Sequence, residues 1–112
     1  MGLPNADRAE VDLRKLSEYC LSTDHPVGRN KAVVFLARLG LTANDAERLR
    51  GWLMQAAASG EAVEGRGDEY GQRYRIDFEA STDVGIATIR SAWIVTSDED
   101  FPRFVTCFVF TG

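Results

Sequence analysis

Ile86-Ala87-Thr88-Ile89-Arg90-Ser91-Ala92-Trp93-Ile94-Val95-Thr96 is the stretch on which the fold turns. It is the longest run in the chain dominated by β-branched and aromatic residues, and it holds neither Gly nor Pro, so its backbone can pair on both sides throughout. Successive side chains of a strand point to opposite faces. Ala87, Ile89, Ser91, Trp93 and Val95 therefore share one face, and Ile86, Thr88, Arg90, Ala92, Ile94 and Thr96 share the other. Neither face is simply polar, which predicts a central strand buried on one side and partly covered on the other. Arg90 stands out. A guanidinium keeps its charge at any relevant pH, so in mid-strand it requires a partner carboxylate or a bound anion.

Working outward, Ser97 to Asp100 forms a polar, acidic turn, and Phe101-Pro102 introduces a last strand from about Arg103 to Phe110. Upstream, Tyr70 to Glu79 alternates cleanly, with Tyr74, Ile76 and Phe78 inward and Arg73, Arg75, Asp77 and Glu79 outward. Turn residues from Ser81 to Gly85 join this segment to the central strand as a hairpin. Glu61 to Glu69 is rich in Gly and acidic residues and reads as a loop with room for one short strand at Ala62-Val63. Trp93, Phe104, Phe108 and Phe110 read as core at alternating spacing rather than as platforms for stacked bases.

Before Gly60 the period is helical. Leu13, Leu16, Tyr19 and Cys20 predict a first helix from about Arg8 or Asp12 to Leu21, and the turn Ser22 to Gly28 ends it, because a residue before Pro26 is disfavoured in helical geometry. Ala32, Phe35, Leu36 and Leu39 form a second apolar stripe, with Gly40 as its stop. Thr42 and Asp45 resemble a capping box for a third helix with core positions Ala46, Leu49, Leu53, Ala56 and Ala57, and Trp52 at the margin. The expected fold class is α+β: three N-terminal helices on a three- to four-stranded antiparallel sheet, as a single domain over residues 1–112, helical over about 8–59 and sheet over about 61–110.

With 112 residues and 45% hydrophobic content the chain can bury one core without metals or disulfides. No apolar run approaches the roughly 20 residues of a membrane span, and the N-terminal residues have no signal-like pattern, so the expectation is a cytoplasmic protein with no membrane association. Cys20 and Cys107 lie in apolar patterns and read as reduced core thiols, with a redox or nucleophilic role and a disulfide as the alternatives. The net charge of -4 opposes broad nonspecific nucleic-acid binding.

Few residues suggest chemistry. His25, the one histidine, suits proton transfer near neutral pH, although beside Pro26 it also suits fixing the turn by local hydrogen bonds. Arg73, Arg75, Arg90 and Arg103, with Arg29 and Lys31 at the start of the second helix, form a cationic set. Arginines near the hydroxyls of Thr88, Ser91, Thr96 and Thr106 are what metal-free phosphate binding or phosphodiester cleavage requires. Asp77, Glu79, Asp98, Glu99 and Asp100 offer ordinary surface pairing instead. No cofactor and no metal site are expected, since one His and no clustered Cys pair give no ligand set.

Several short motifs in order, Leu3-Pro4-Asn5-Ala6, Asp24-His25-Pro26 with Gly28 and Lys31-Ala32, Tyr70-Gly71-Gln72-Arg73-Tyr74, Arg90-Ser91-Ala92-Trp93-Ile94-Val95, and Pro102-Arg103 before Val105-Thr106, resemble an uncharacterised family of small bacterial proteins. Such domains occur fused to phage-head or polymorphic-toxin proteins. More distantly, helices followed by an antiparallel sheet bearing Arg and Thr are similar to the ribonuclease-toxin superfamily of barnase, EndoU and RelE-like proteins. That resemblance implies metal-independent RNA cleavage, with Arg90 and Arg73 stabilising the phosphate, His25 or Lys31 moving protons, Thr106 assisting, and Arg103 and Ser91 binding ligand. The predicted sheet has no histidine, and the sequence pI is about 4.9, both departures from those enzymes. The expected function is thus a toxin-like ribonuclease or an RNA- or phosphate-binding domain. The alternative is a non-enzymatic interaction module, an immunity or accessory protein of a toxin or phage system, with a small cognate protein as its partner in place of RNA.

Overall fold

The computed structural model describes residues 1–111. Three helical segments come first and pack on one face of a four-stranded antiparallel sheet, the α+β arrangement expected from the change of period. The first segment is irregular. A 3₁₀ turn at Ala6–Arg8 is followed by one α-helical turn, α1 (Leu13–Lys15), and then by a π-helical turn at Leu16–Cys20. The wider turn leaves Leu16 and Cys20 both facing the core, fully buried.

The next two helices follow the pattern closely. α2 (Arg29–Leu39) buries Ala32, Phe35 and Leu39 and stops at Gly40, whose φ of 70° is the left-handed cap that glycine adopts without strain. Leu36, in the same apolar pattern, stays 45% exposed. The capping box is present: Thr42 Oγ1 accepts from Asn44 N at 3.3 Å, and Asp45 Oδ2 accepts from Thr42 N at 2.8 Å. It leads through a 3₁₀ turn into α3 (Ala46–Ser59), which buries Ala46, Leu49, Leu53, Ala56 and Ala57. Trp52 is half-buried against that cluster.

The strands are β1 (Ala62–Asp68), β2 (Gly71–Ser81), β3 (Ile86–Thr96) and β4 (Arg103–Phe110), ordered β1-β2-β3-β4. β3 is therefore paired along both edges. Its inner row, Ala87, Ile89, Ser91 and Trp93, is buried under the helices together with Tyr74, Ile76, Phe104, Cys107 and Val109. Its outer row carries no helix.

Two bulges change what simple alternation predicts. β1 is a full seven-residue strand rather than a loop with two strand residues, and a register shift between Glu64 and Gly67 accommodates its glycines. Pairing to β2 supplies what its composition lacks. A second shift in the β3–β4 ladder sets Trp93 opposite Phe104 but Ala92 opposite Thr106, so Val105 is the extra residue. From there the faces of β4 exchange. Phe104 joins the core as expected, whereas Phe108 and Phe110 lie half-buried on the outer face, which corrects their expected place in the core.

Candidate functional site

The outer sheet face gathers the arginines, and each of the three that a phosphate would need meets a carboxylate. The register places Arg90 beside Asp77, and the guanidinium binds it in bidentate fashion through Nε and Nη2, both at 2.9 Å. The ring of Phe110 lies 3.7 Å from the guanidinium carbon and covers its flat side. Arg103 binds Glu99 with Nε and Nη2, at 2.6 and 2.7 Å, and Glu10 with Nη1 at 2.8 Å. Arg73 reaches Asp68 at 3.0 Å. Ser91 is on the other side of the sheet altogether, fully buried, donating to Ile76 O at 2.8 Å and accepting from Trp93 Nε1 at 2.9 Å.

These pairs set the acid behaviour of the face. The hydrogen bonds from Arg90 hold the Asp77 carboxyl below its ordinary range, and those from Arg103 do the same for Glu99. A carboxylate whose pKa is depressed on folding contributes stability above its unfolded pKa of about 4 and loses it as pH falls through the folded value. Asp77→Asn is therefore expected to lower the urea midpoint near neutral pH and to converge on the wild type as pH falls through the depressed folded pKa of Asp77. A difference that stayed constant with pH would assign the effect to packing instead.

His25, Lys31 and Thr106 lie elsewhere, each bordering the π-turn beside β4: His25 and Lys31 against Tyr19, and Thr106 against Cys20. His25 Nδ1 accepts from the backbone N–H groups of Val27 and Gly28, both at 3.0 Å, so the ring proton sits on Nε2 and the histidine closes its own turn. Its ring meets Tyr19 edge-on at 4.9 Å. Lys31 Nζ lies 6.0 Å from the Tyr19 ring and 5.1 Å from that of Phe108. Thr106 Oγ1 is 3.8 Å from Cys20 Sγ. An open groove of about 640 Å³ runs along this turn, lined by Lys15, Glu18, Tyr19, His25 and Val105 among others. Tyr19, which links His25 to Lys31, is the residue that sequence reading left in a core stripe. Nothing in a helical period distinguishes a half-buried ring from a buried one.

Beneath this groove Cys20 and Cys107 are both buried and free. The neighbouring Cys107 thiol stabilises the Cys20 thiolate and lowers its pKa to about 7, while Cys20 and burial raise Cys107. Among the described residues, no three His, Cys, Asp or Glu side chains are grouped to hold a metal ion, and no helix is long and apolar enough to cross a membrane.

The β1–β2 hairpin is the third feature. Six of the seven β1 residues are exposed. At its tip Tyr70 is 66% exposed, and Asp68 Oδ1 accepts from Tyr70 N at 3.0 Å. Glu64 and Glu69 take part in no ion pair among the described residues.

The model of the family described as "Domain of unknown function (DUF6883)" matches residues 2–111. The chain belongs to that family. No curated protein matches it. Among solved structures, a chain of the "Contact-dependent growth inhibition toxin - immunity protein complex from Klebsiella pneumoniae 342" is similar in fold, with a TM-score of 0.68 and 22% identity over 89% of this chain and 98% of that one. This chain therefore shares its fold with a chain of that complex.

Proposed function

We propose that this DUF6883 chain is a protein-binding module, an immunity or accessory component of a two-protein toxin or phage system, which holds a small cognate partner through its acidic loops and the exposed β1 edge. The observation that carries this reading is the bidentate Arg90–Asp77 pair under Phe110, which occupies the guanidinium a phosphate would need. The toxin–immunity complex of the similar fold supports it. Edge strands and acidic hairpins bind partners through main-chain pairing and charge.

A second reading, a metal-independent ribonuclease or RNA- or phosphate-binding domain, is supported by the placement of His25 and Lys31 against Tyr19 and of Thr106 against Cys20 on the same turn. One experiment separates the two. Wild type, Arg90→Ala and Lys31→Ala are expressed from an inducible promoter in a bacterial host while growth and total RNA are followed. Normal growth with intact RNA is expected for all three. Growth arrest with RNA cleavage, lost in a folded Lys31→Ala protein, would replace the binding module with the nuclease.

A further inference from the structure

The helix-free outer face of the sheet has a charge pattern that matches itself. Arg73, Arg75, Arg90 and Arg103 meet Asp68, Asp77, Glu79 and Glu99 there, with Glu10 at the rim, so the face is nearly neutral in a chain whose net charge is -4. Two of these charges form no close ion pair, although Arg75 acts through space on the Asp77 carboxylate. Arg75 and Glu79 are exposed, and among the described residues neither forms an ion pair or a side-chain hydrogen bond. Both stand on β2, four residues apart, on either side of Asp77.

No helix covers the apolar residues on this face, although the Arg90 guanidinium lies on the Phe110 ring and Lys31 approaches that of Phe108. Ile86 is 60% exposed, and Ala92, Ile94, Phe108 and Phe110 are half-buried. Four strands about 4.8 Å apart and about ten residues long present a footprint of about 600 Å² per copy. Two such faces would bury about 1,200 Å², the lower end of a specific interface.

We propose that this face binds a second copy of the chain as a face-to-face, two-fold dimer. A two-fold axis lying between the sheets, across the strands at Asp77, runs β2 antiparallel over the partner's β2. That axis sets Arg75 of each copy against Glu79 of the other, and the isologous arrangement makes both contacts at once. Asp77 falls near the axis, where Arg90 has already neutralised it, and the half-buried phenylalanines meet across the remaining area, as in two packed sheets. The -4 charge of each chain lies mainly outside this face, so the outer sheet surface is where two copies approach with least repulsion.

Charge exchange tests the dimer directly. Sedimentation velocity on the full chain, across a concentration series from micromolar to submillimolar, should show a monomer–dimer equilibrium. Arg75→Glu sets Glu against Glu at two places and Glu79→Arg sets Arg against Arg. Each should weaken dimerisation roughly tenfold or more, and the double exchange, which restores both contacts, should return it close to wild type. Both positions are exposed, and circular dichroism would verify that all variants remain folded. A protein that stays monomeric throughout overturns the proposal, and so does a dimer that the single and double variants leave equally strong. Neither outcome touches the growth and RNA experiment, which stands on other residues.

Discussion

Trp93→Ala is expected to destabilise the fold by about 3–5 kcal/mol, the largest loss from any single truncation of the core. Trp93 is completely buried at the centre of β3 and packs edge-to-face on Phe104, with ring centroids 5.7 Å apart. Its indole N–H also anchors a short polar chain, donating to Ser91 Oγ, which in turn donates to Ile76 O across to β2. Truncation therefore opens a cavity where three strands and the helical layer meet, and it removes the donor that Ser91 accepts. Against a typical domain stability of about 5–15 kcal/mol, the loss is a large fraction of the total. Urea unfolding would measure it, with Trp93→Phe as the comparison that keeps most of the volume and loses the N–H. A cost below about 1 kcal/mol for the alanine variant would mean that the surrounding core collapses into the space, contrary to the rigid packing inferred from β3.

How far the chain discloses this architecture depends on whether a local signal has to compete with a long-range one. The second and third helices were legible because stripe, cap and stop agree: Thr42 and Asp45 form the predicted box, and α3 buries the five residues its period selects. β2 and β3 were legible for the same reason. β1 was not, because Gly65, Gly67 and its acidic residues oppose strand formation locally and only the ladder with β2 overrides them. The faces of β4 were legible up to Val105, where one inserted residue moves Phe108 and Phe110 to the opposite side. The candidate site divides along the same line. That Arg90 needs an anionic partner, a carboxylate or a bound anion, follows from its own chemistry, and the hairpin register supplies the carboxylate of Asp77. That His25 and Lys31 border Tyr19 while Thr106 borders Cys20 follows from the way the π-turn lies against β4, for which the sequence carries no periodic signal.

Gly71→Ala is expected to cost about 2–4 kcal/mol and to loosen the β1–β2 hairpin selectively. Gly71 has a φ of 142°, a conformation L side chains rarely adopt, and a Cβ there would stand 2.2 Å from Val95 O and 2.7 Å from Thr96 Cα. Both obstacles are backbone atoms of the central strand, so no flexible side chain can move aside to relieve the contact. Gly71 faces Thr96 at the end of the β2–β3 ladder and Asp68 across the hairpin, so displacing it disturbs both pairings together. Gly65→Ala is the matched control, since its Cβ would meet Arg73 O at 3.5 Å, an ordinary contact. Urea unfolding should separate the two variants, and hydrogen exchange should place the extra opening of Gly71→Ala in β1 and the start of β2 rather than in α3. Equal costs at the two sites would show that close approach is not what requires glycine at 71. If the costs differ as expected, the hairpin that carries Glu64, Glu69 and Tyr70 is held in place by one residue with no side chain. Loss of partner binding in Gly71→Ala would then follow from a displaced edge, with every acidic and aromatic group of that edge still present.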